Sequence, residues 1–296
     1  MKMNKYIIIT ILLMISINNL TFSYDNENPL SKSIFKNLSI DFDCGNRYII
    51  TGLNGTGKST LLKLIGGKKL TPYDSVKVSN KDPFRDTSCN KDIAYINNDW
   101  GTQTVAFTGY NMPLQSSLKV KDMMTKIKLE YPNRNKELIY VLGINEEWAM
   151  NEISEGQRKR VQLYLSLISP FKVCLLDEIT VNLDILVKHR FMNYLKKESI
   201  VNNACILYIT HIFDGLDDWY THLLYLKRDT SIIATTKESI IASQEKNIYN
   251  FLLQSFLKES QEENTLTEKP EQELSKYTRN AGGFSNGTLI NYKIIK

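Results

Sequence analysis

Residues 52–59 read Gly52-Leu53-Asn54-Gly55-Thr56-Gly57-Lys58-Ser59, with Thr60 next. The spacing is G-x-x-x-x-G-K-[ST]. Upstream, Arg47-Tyr48-Ile49-Ile50-Thr51 is a short run of buried-strand type. Downstream, Leu61, Leu62, Leu64 and Ile65 follow helical spacing until Gly66-Gly67 stop the helix. A strand, a glycine-rich turn and a helix in that order make a cradle for phosphate. The glycines let backbone N–H groups curl around anionic oxygens with no Cβ in the way, and the helix N-terminus adds partial positive charge. Gly52, Asn54, Gly55, Thr56, Gly57, Lys58, Ser59 and Thr60 are the expected nucleotide contacts. Lys58 is placed to reach the β- and γ-phosphates, and the Ser59 hydroxyl to bind Mg2+.

Two further segments carry chemistry. Val173-Cys174-Leu175-Leu176-Asp177-Glu178 is an apolar strand ending in two carboxylates. Ligands of open α/β sheets sit at that end of the strands. Asp177 is therefore expected to hold Mg2+ through water, and Glu178 to polarise an attacking water as general base. Some twenty residues earlier, Ile153-Ser154-Glu155-Gly156-Gln157-Arg158-Lys159-Arg160-Val161 reads as a basic helix with a capping-box start, Ser154 paired with Gln157.

The remaining pattern is of α/β type. Ile15–Tyr24, Ile34–Phe42, Ile93–Ile96, Lys172–Leu176 and Cys205–Thr210 read as strands, and Leu223–Lys227 with Ser231–Thr235 as a closing hairpin. From Trp100 to about Met150 the pattern turns helical and more polar, with helices over Leu118–Leu129 and Lys136–Leu142. Ser154–Ile168, Leu183–Lys197 and Asn247–Leu257 read as helices, the last with an amphipathic face, while Glu259–Asn280 is charged and reads as disordered. Strands alternating with helices imply a mainly parallel sheet covered on both faces.

The order of loop, capped S-x-G-Q helix and acidic strand resembles that of ABC (ATP-binding cassette) ATPases, over roughly Ile15 to Asp229. The resemblance implies a P-loop NTPase of ABC type, a RecA-like core with an antiparallel β subdomain and an inserted helical subdomain at about 100–168. It also implies hydrolysis of Mg-ATP at a homodimer interface. Ser154, Gly156 and Gln157 would then face the γ-phosphate of ATP held by the other subunit. Tyr24 would stack on adenine, Val181-Asn182-Leu183-Asp184 would cross the interface, and His211 of Ile209-Thr210-His211 would touch the γ-phosphate and hold Glu178 and the water in line. The family signature L-S-G-G-Q is changed here to Ile153-Ser154-Glu155-Gly156-Gln157. Where a Q-loop glutamine is expected the chain reads Asn97-Asn98-Asp99-Trp100, leaving Asn98 or Asp99 to approach the water or the metal.

The segments Glu155–Gln162, Leu175–Asp184 and Thr210–Leu216, with Asp82–Thr87 and Asn98–Trp100, are similar to a small eukaryotic group of stand-alone ABC proteins with plant and yeast members. That group tolerates an acid in the signature and lacks the Q-loop glutamine, and its yeast member is associated with the Ccr–Not complex. The implied setting is cytoplasmic or nuclear, with a partner complex of Ccr–Not type. The rival readings are a nucleotide-binding subunit of a transporter with a separate membrane partner, and an ATP-binding scaffold without turnover.

The 296 residues suffice for one large α/β domain plus a tail. The net charge of +5 is spread along a Lys-rich chain rather than gathered in a stripe, so no direct nucleic-acid partner is expected. Cys44, Cys89, Cys174 and Cys205 form no C-x-x-C pair, which argues for reduced thiols without structural zinc. Residues 1–14 carry Lys2 and Lys5 before a short apolar run. They resemble a secretory signal, yet cleavage near Ser23 would remove a strand that the nucleotide domain needs. The expected division is an extension over 1–14, a nucleotide domain over 15–237, and a C-terminal helix with a tail over 238–296.

Overall fold

A computed structural model describes residues 13–24, 33–97, 102–104, 111–113, 117–180, 183–243 and 247–267. The chain opens with β1 (Leu13–Phe22) and β2 (Phe35–Asp43), an antiparallel pair with Ile17 opposite Ile40 and Leu20 opposite Leu38. Asn19 takes a left-handed φ of 46° within a register shift between Ile17 and Leu20, a conformation that asparagine tolerates better than most residues. Next come β3 (Arg47–Gly52), α1 (Lys58–Ile65) and the three-residue β4 (Val76–Val78). β4 pairs antiparallel with β1 and completes a small sheet of order β2-β1-β4. Three residues are too few for hydrophobic alternation to register, so β4 was not foreseen.

Beyond β5 (Ile93–Ile96), a stretch expected to turn helical from Trp100 to about Met150 also holds a pair of short strands. β6 (Thr102–Thr104) and β7 (Asn111–Pro113) form an antiparallel pair, in keeping with the β-branched threonines of β6. The helix expected over Leu118–Leu129 is broken. Val120–Asp122 is a single 3-10 turn, Met124 has a left-handed φ of 52°, and only α2 (Thr125–Glu130) is α-helical. Tertiary bonds override local propensity there: Val120 and Lys121 donate their N–H groups to Trp148 O and Glu146 O instead of to their own helix. The buried Lys128 fastens this break. Its Nζ donates to Val120 O at 2.6 Å, Lys121 O at 3.1 Å and Glu146 Oε1 at 3.2 Å. Lys128→Met is expected to cost on the order of 2 kcal/mol of stability, because it leaves desolvated carbonyls without a donor. Urea unfolding measures this; an unchanged midpoint would show the carbonyls find other donors.

The helical region continues with α3 (Pro132–Leu142), begun by a proline and ended by Gly143 in a left-handed cap, and α4 (Glu155–Leu167). Then follow β8 (Val173–Asp177), α5 (Ile185–Val201), β9 (Cys205–Ile209), and the hairpin of β10 (His222–Leu226) with β11 (Ile232–Thr236). The large sheet has the order β11-β10-β3-β9-β8-β5, parallel throughout except for β11. Every residue of β3 and β9 is buried, as befits strands covered on both faces. Alternate side chains feed two cores. Tyr48, Ile50, Val173, Leu175, Leu207 and Ile209 meet the small sheet and α1, whereas Ile49, Cys174, Leu176, Ile206 and Tyr208 meet α3, α4 and α5. Each fully buried Leu or Ile there contributes about 1.5–3 kcal/mol relative to exposure. All four cysteines are free thiols.

Two C-terminal helices complete the described chain. α6 (Lys237–Ala242), capped by Thr236, was not foreseen, and α7 (Ile248–Thr267) runs further than expected. The stretch from Glu259, read as disordered, is helical to Thr267, because its Glu and Gln residues are good helix formers despite their polarity. The chain divides into two contact units, Met1–Phe256 and Leu257–Lys296. In the first, Ile248 and Leu252 are buried in the core beside Phe251. Among the described residues no helix is long and apolar enough to cross a membrane. The expected extension before residue 13 and the tail after 267 lie outside the described residues.

Candidate functional site

The parallel strands open their C-terminal ends on one edge, and three of them carry the candidate residues there. β3 ends at Gly52 with φ 150°, where a Cβ would stand 2.3 Å from Leu226 O. Only glycine lets the loop leave so close to β10. Gly57 caps α1 with φ 93° and gives its first amides no side-chain cap. The Thr56 hydroxyl donates to Leu53 O at 3.0 Å and tightens the turn. Lys58 is buried, and its Nζ donates to Gly52 O at 2.8 Å and Leu53 O at 2.9 Å. Burial lowers the Lys58 pKa, against the pull of Glu178 and Asp177.

The Ser59 hydroxyl donates to Asp177 Oδ1 at 3.1 Å, which brings the β8 carboxylate to the first turn of α1. Two hard oxygen donors at that separation, beside a phosphate cradle, suit Mg2+, whose shell is usually completed by phosphate oxygens and water. Thr60 shares a hydrogen bond of 3.1 Å with the Tyr24 hydroxyl. The Tyr24 ring is 56% exposed, stands edge-on to Phe22, and has Lys69 Nζ 5.3 Å from its centroid. The aromatic expected at the base is thus tethered to the same helix turn that carries Ser59.

Next to Asp177, Glu178 takes a left-handed φ of 52°, and its N–H donates to Ile209 O at 3.1 Å. A glutamate in that region is strained, a condition that gathers at functional sites. The turn brings Glu178 Oε1 within 3.1 Å of His211 Nε2. The His211 pKa is lowered from 6.5, first by burial and then by the Lys58 cation, with Glu178 acting in the opposite sense. The imidazole is therefore neutral at pH 7, and Nε2–H donates to the carboxylate. The midpoint of its protonation lies below the ordinary imidazole value, so the acid limb of turnover is expected to be centred below pH 6.5. A pH–rate profile whose acid limb is centred above 6.5, and is lost in His211→Ala, would contradict this.

On α4, Ser154 and Gln157 form the capping box. Gln157 N–H donates to Ser154 Oγ at 3.2 Å, and Ser154 N–H to Gln157 Oε1 at 2.9 Å. Ser154 and Glu155 are exposed, Gly156 is half-buried, and Ile153 beneath them is buried. Further along the helix, Lys159 Nζ and Gln162 Nε2 donate to Asn97 O at 2.9 and 2.8 Å, which fixes α4 to the end of β5. Asp184 accepts from Val187 N–H at 2.9 Å as the cap of α5. Asn98, Asp99, Val181 and Asn182 lie outside the described residues.

Residues 35–181 match the ABC transporter family model. Two plant proteins are similar along much of the chain. ABC transporter I family member 20 of Arabidopsis thaliana is 36% identical over 84% of this chain and 77% of its own length. Member 21 of the same family is 38% identical over 72% and 74%. The chain belongs to the ABC ATPase family. Another relative within this ABC group is CCR4-associated factor 16 of Saccharomyces cerevisiae, 34% identical over 72% of this chain and 75% of its own. Among solved ABC structures, the ATP-binding subunit of an ABC transporter superposes with a TM-score of 0.67 at 17% identity, covering 83% of this chain and 99% of that one. A dimeric post-hydrolysis cassette bound to ADP and Pi gives 0.61 at 20% identity over 76% and 99%. At those identities the structures speak for the fold, which is that of an ABC cassette.

Lys58, Ser59, Asp177, Glu178 and His211 meet within one chain, linked by the contacts above. Ser154, Gly156 and Gln157 form the start of a different helix, where the bonds of the capping box engage Ser154 and Gln157. Lys159 and Gln162 were missed as positioning groups. Their i, i+3 spacing on one face of the signature helix was the available signal.

Proposed function

We propose that the protein is a stand-alone ABC ATPase that closes around Mg-ATP as a homodimer and opens after hydrolysis, so that its output is a conformational switch. The observation that carries this is the Glu178–His211 pair at 3.1 Å beside the Ser59–Asp177 pair at 3.1 Å, at the mouth of the glycine loop. An ATP-binding scaffold has no use for the first of these pairs.

On nucleotide arrival, Lys58 exchanges the Gly52 and Leu53 carbonyls for β- and γ-phosphate oxygens. The amides of Asn54 to Ser59 and the Thr60 hydroxyl complete the cradle, and Tyr24 offers its ring to the adenine. Ser59 and Asp177, the latter through water, would hold Mg2+, which would supply charge neutralisation at the β- and γ-phosphates. Glu178 accepts the proton of the attacking water. His211 donates from Nε2–H, steadying first Glu178 and then the developing charge on the γ-phosphate. Ser154 and Gly156 of a second copy close the site from the other side, and the helix N-terminus they occupy is suited to an anion.

The similarity to CCR4-associated factor 16 supports a cytoplasmic or nuclear setting and a partner complex concerned with transcription or mRNA. Phosphate release by the purified protein, with size-exclusion chromatography with and without Mg-ATP, tests the core reading. Absence of both turnover and nucleotide-dependent dimerisation would refute it. Affinity purification from native extract tests the partner.

A further inference from the structure

β9 is aliphatic on either side of Tyr208, with Ile206, Leu207 and Ile209, and all of them are buried. An aliphatic residue would fill the Tyr208 position without bringing a polar group into the core, so the phenol needs a reason. Its hydroxyl is hydrogen-bonded to Thr180 Oγ1, which is itself 4% exposed. Thr180 lies two residues after Glu178, and Tyr208 three residues before His211. The Tyr208 ring is held edge-on by Trp219 at 5.9 Å.

The neighbouring backbone shows what the pair holds. The Glu178 turn has φ 52°, which a glutamate keeps only where its surroundings oblige it. β9 clamps that turn from both sides: Ile209 O takes the Glu178 N–H, and Tyr208 takes Thr180 on the far side. At the end of β9, Thr210 Oγ1 accepts from Ile212 N–H at 3.0 Å and donates to Ile212 O at 3.2 Å, which turns the chain at His211. One strand therefore sets both members of the 3.1 Å Glu178–His211 contact.

We propose that Tyr208 and Thr180 are positioning residues, whose buried hydroxyl pair holds the Glu178 turn and the His211 turn in register for attack on the γ-phosphate. The inference rests on the reading of Glu178 as general base. Both residues are buried, so their removal is expected to act on turnover and to spare binding. A displacement of the order of 1 Å at the reacting groups costs up to about a hundredfold in rate.

The test uses the full chain with Tyr208→Phe, which keeps the ring, Thr180→Val, which keeps the shape, Thr180→Ser, which keeps the hydroxyl, and Glu178→Gln as control. Thermal unfolding, Mg-ATP affinity and kcat are measured for each. Tyr208→Phe and Thr180→Val are expected to bind Mg-ATP within about twofold of wild type and to lose about tenfold to a hundredfold in kcat. The double variant should be no worse than either single, as for two halves of one interaction, and Thr180→Ser should keep near-normal turnover. The clamp is overturned if both hydroxyl-free variants turn over normally while Glu178→Gln does not. It is also overturned if their losses multiply in the double variant, or if they only lower the unfolding temperature with kcat per folded molecule unchanged. Normal turnover in Glu178→Gln overturns the underlying assignment of the base, and the clamp with it.

Discussion

Replacing Glu178 with glutamine is expected to cut ATP turnover by a factor on the order of 10²–10⁴, the usual contribution of a positioned general base, while leaving nucleotide binding intact. Glutamine matches glutamate in size and still accepts from His211 Nε2–H, so the 3.1 Å contact survives. The amide oxygen cannot take a proton from water at neutral pH. The Ser59–Asp177 pair and the glycine cradle are untouched, so Mg-ATP is bound without being consumed, and the closed dimer accumulates. Size-exclusion chromatography should show an ATP-dependent dimer that persists for the variant and is transient for the wild type. Turnover within a few-fold of wild type would remove Glu178 from the role of base.

Lys58→Ala is expected to abolish measurable binding, with a loss of at least about a hundredfold in Mg-ATP affinity. Hydrogen bonds to charged groups contribute roughly 1.5–3 kcal/mol each, and in the proposed complex this ammonium would reach two phosphates. The fold should tolerate the change. Lys58 donates to the Gly52 and Leu53 carbonyls at 2.8 and 2.9 Å, and the turn keeps a second tie in the Thr56 hydroxyl, which donates to Leu53 O at 3.0 Å. Near-normal unfolding behaviour together with lost nucleotide binding by calorimetry is the expected signature. Retained affinity would mean that the amides carry the phosphate without the lysine.

The site was legible because its parts are local. The turn from Gly52 to Gly57 is dictated by φ values that glycine alone adopts cheaply. Asp177 and Glu178 announce themselves as acids ending an otherwise apolar strand. The parallel sheet followed from strands that alternate with helices along the chain. What stayed hidden depends on partners far along the chain. The break at Met124 is made by bonds from Val120 and Lys121 to residues 148 and 146, and no window around 118–129 contains that information. Lys159 and Gln162 fall within what reads as a capped basic helix, and their acceptor, the backbone of Asn97, leaves no mark on that helix's own pattern. Tyr208 read as one more core residue, since burial is what a strand tyrosine usually signifies.

The Asn97 carbonyl has a mechanical meaning. Its oxygen takes two donors from the same helix, which is all that its lone pairs can accept. α4 cannot tilt without either tearing both bonds or dragging the end of β5 along. A push on Ser154 at the start of α4 would therefore be carried through Asn97 to β5, the edge strand of the large sheet.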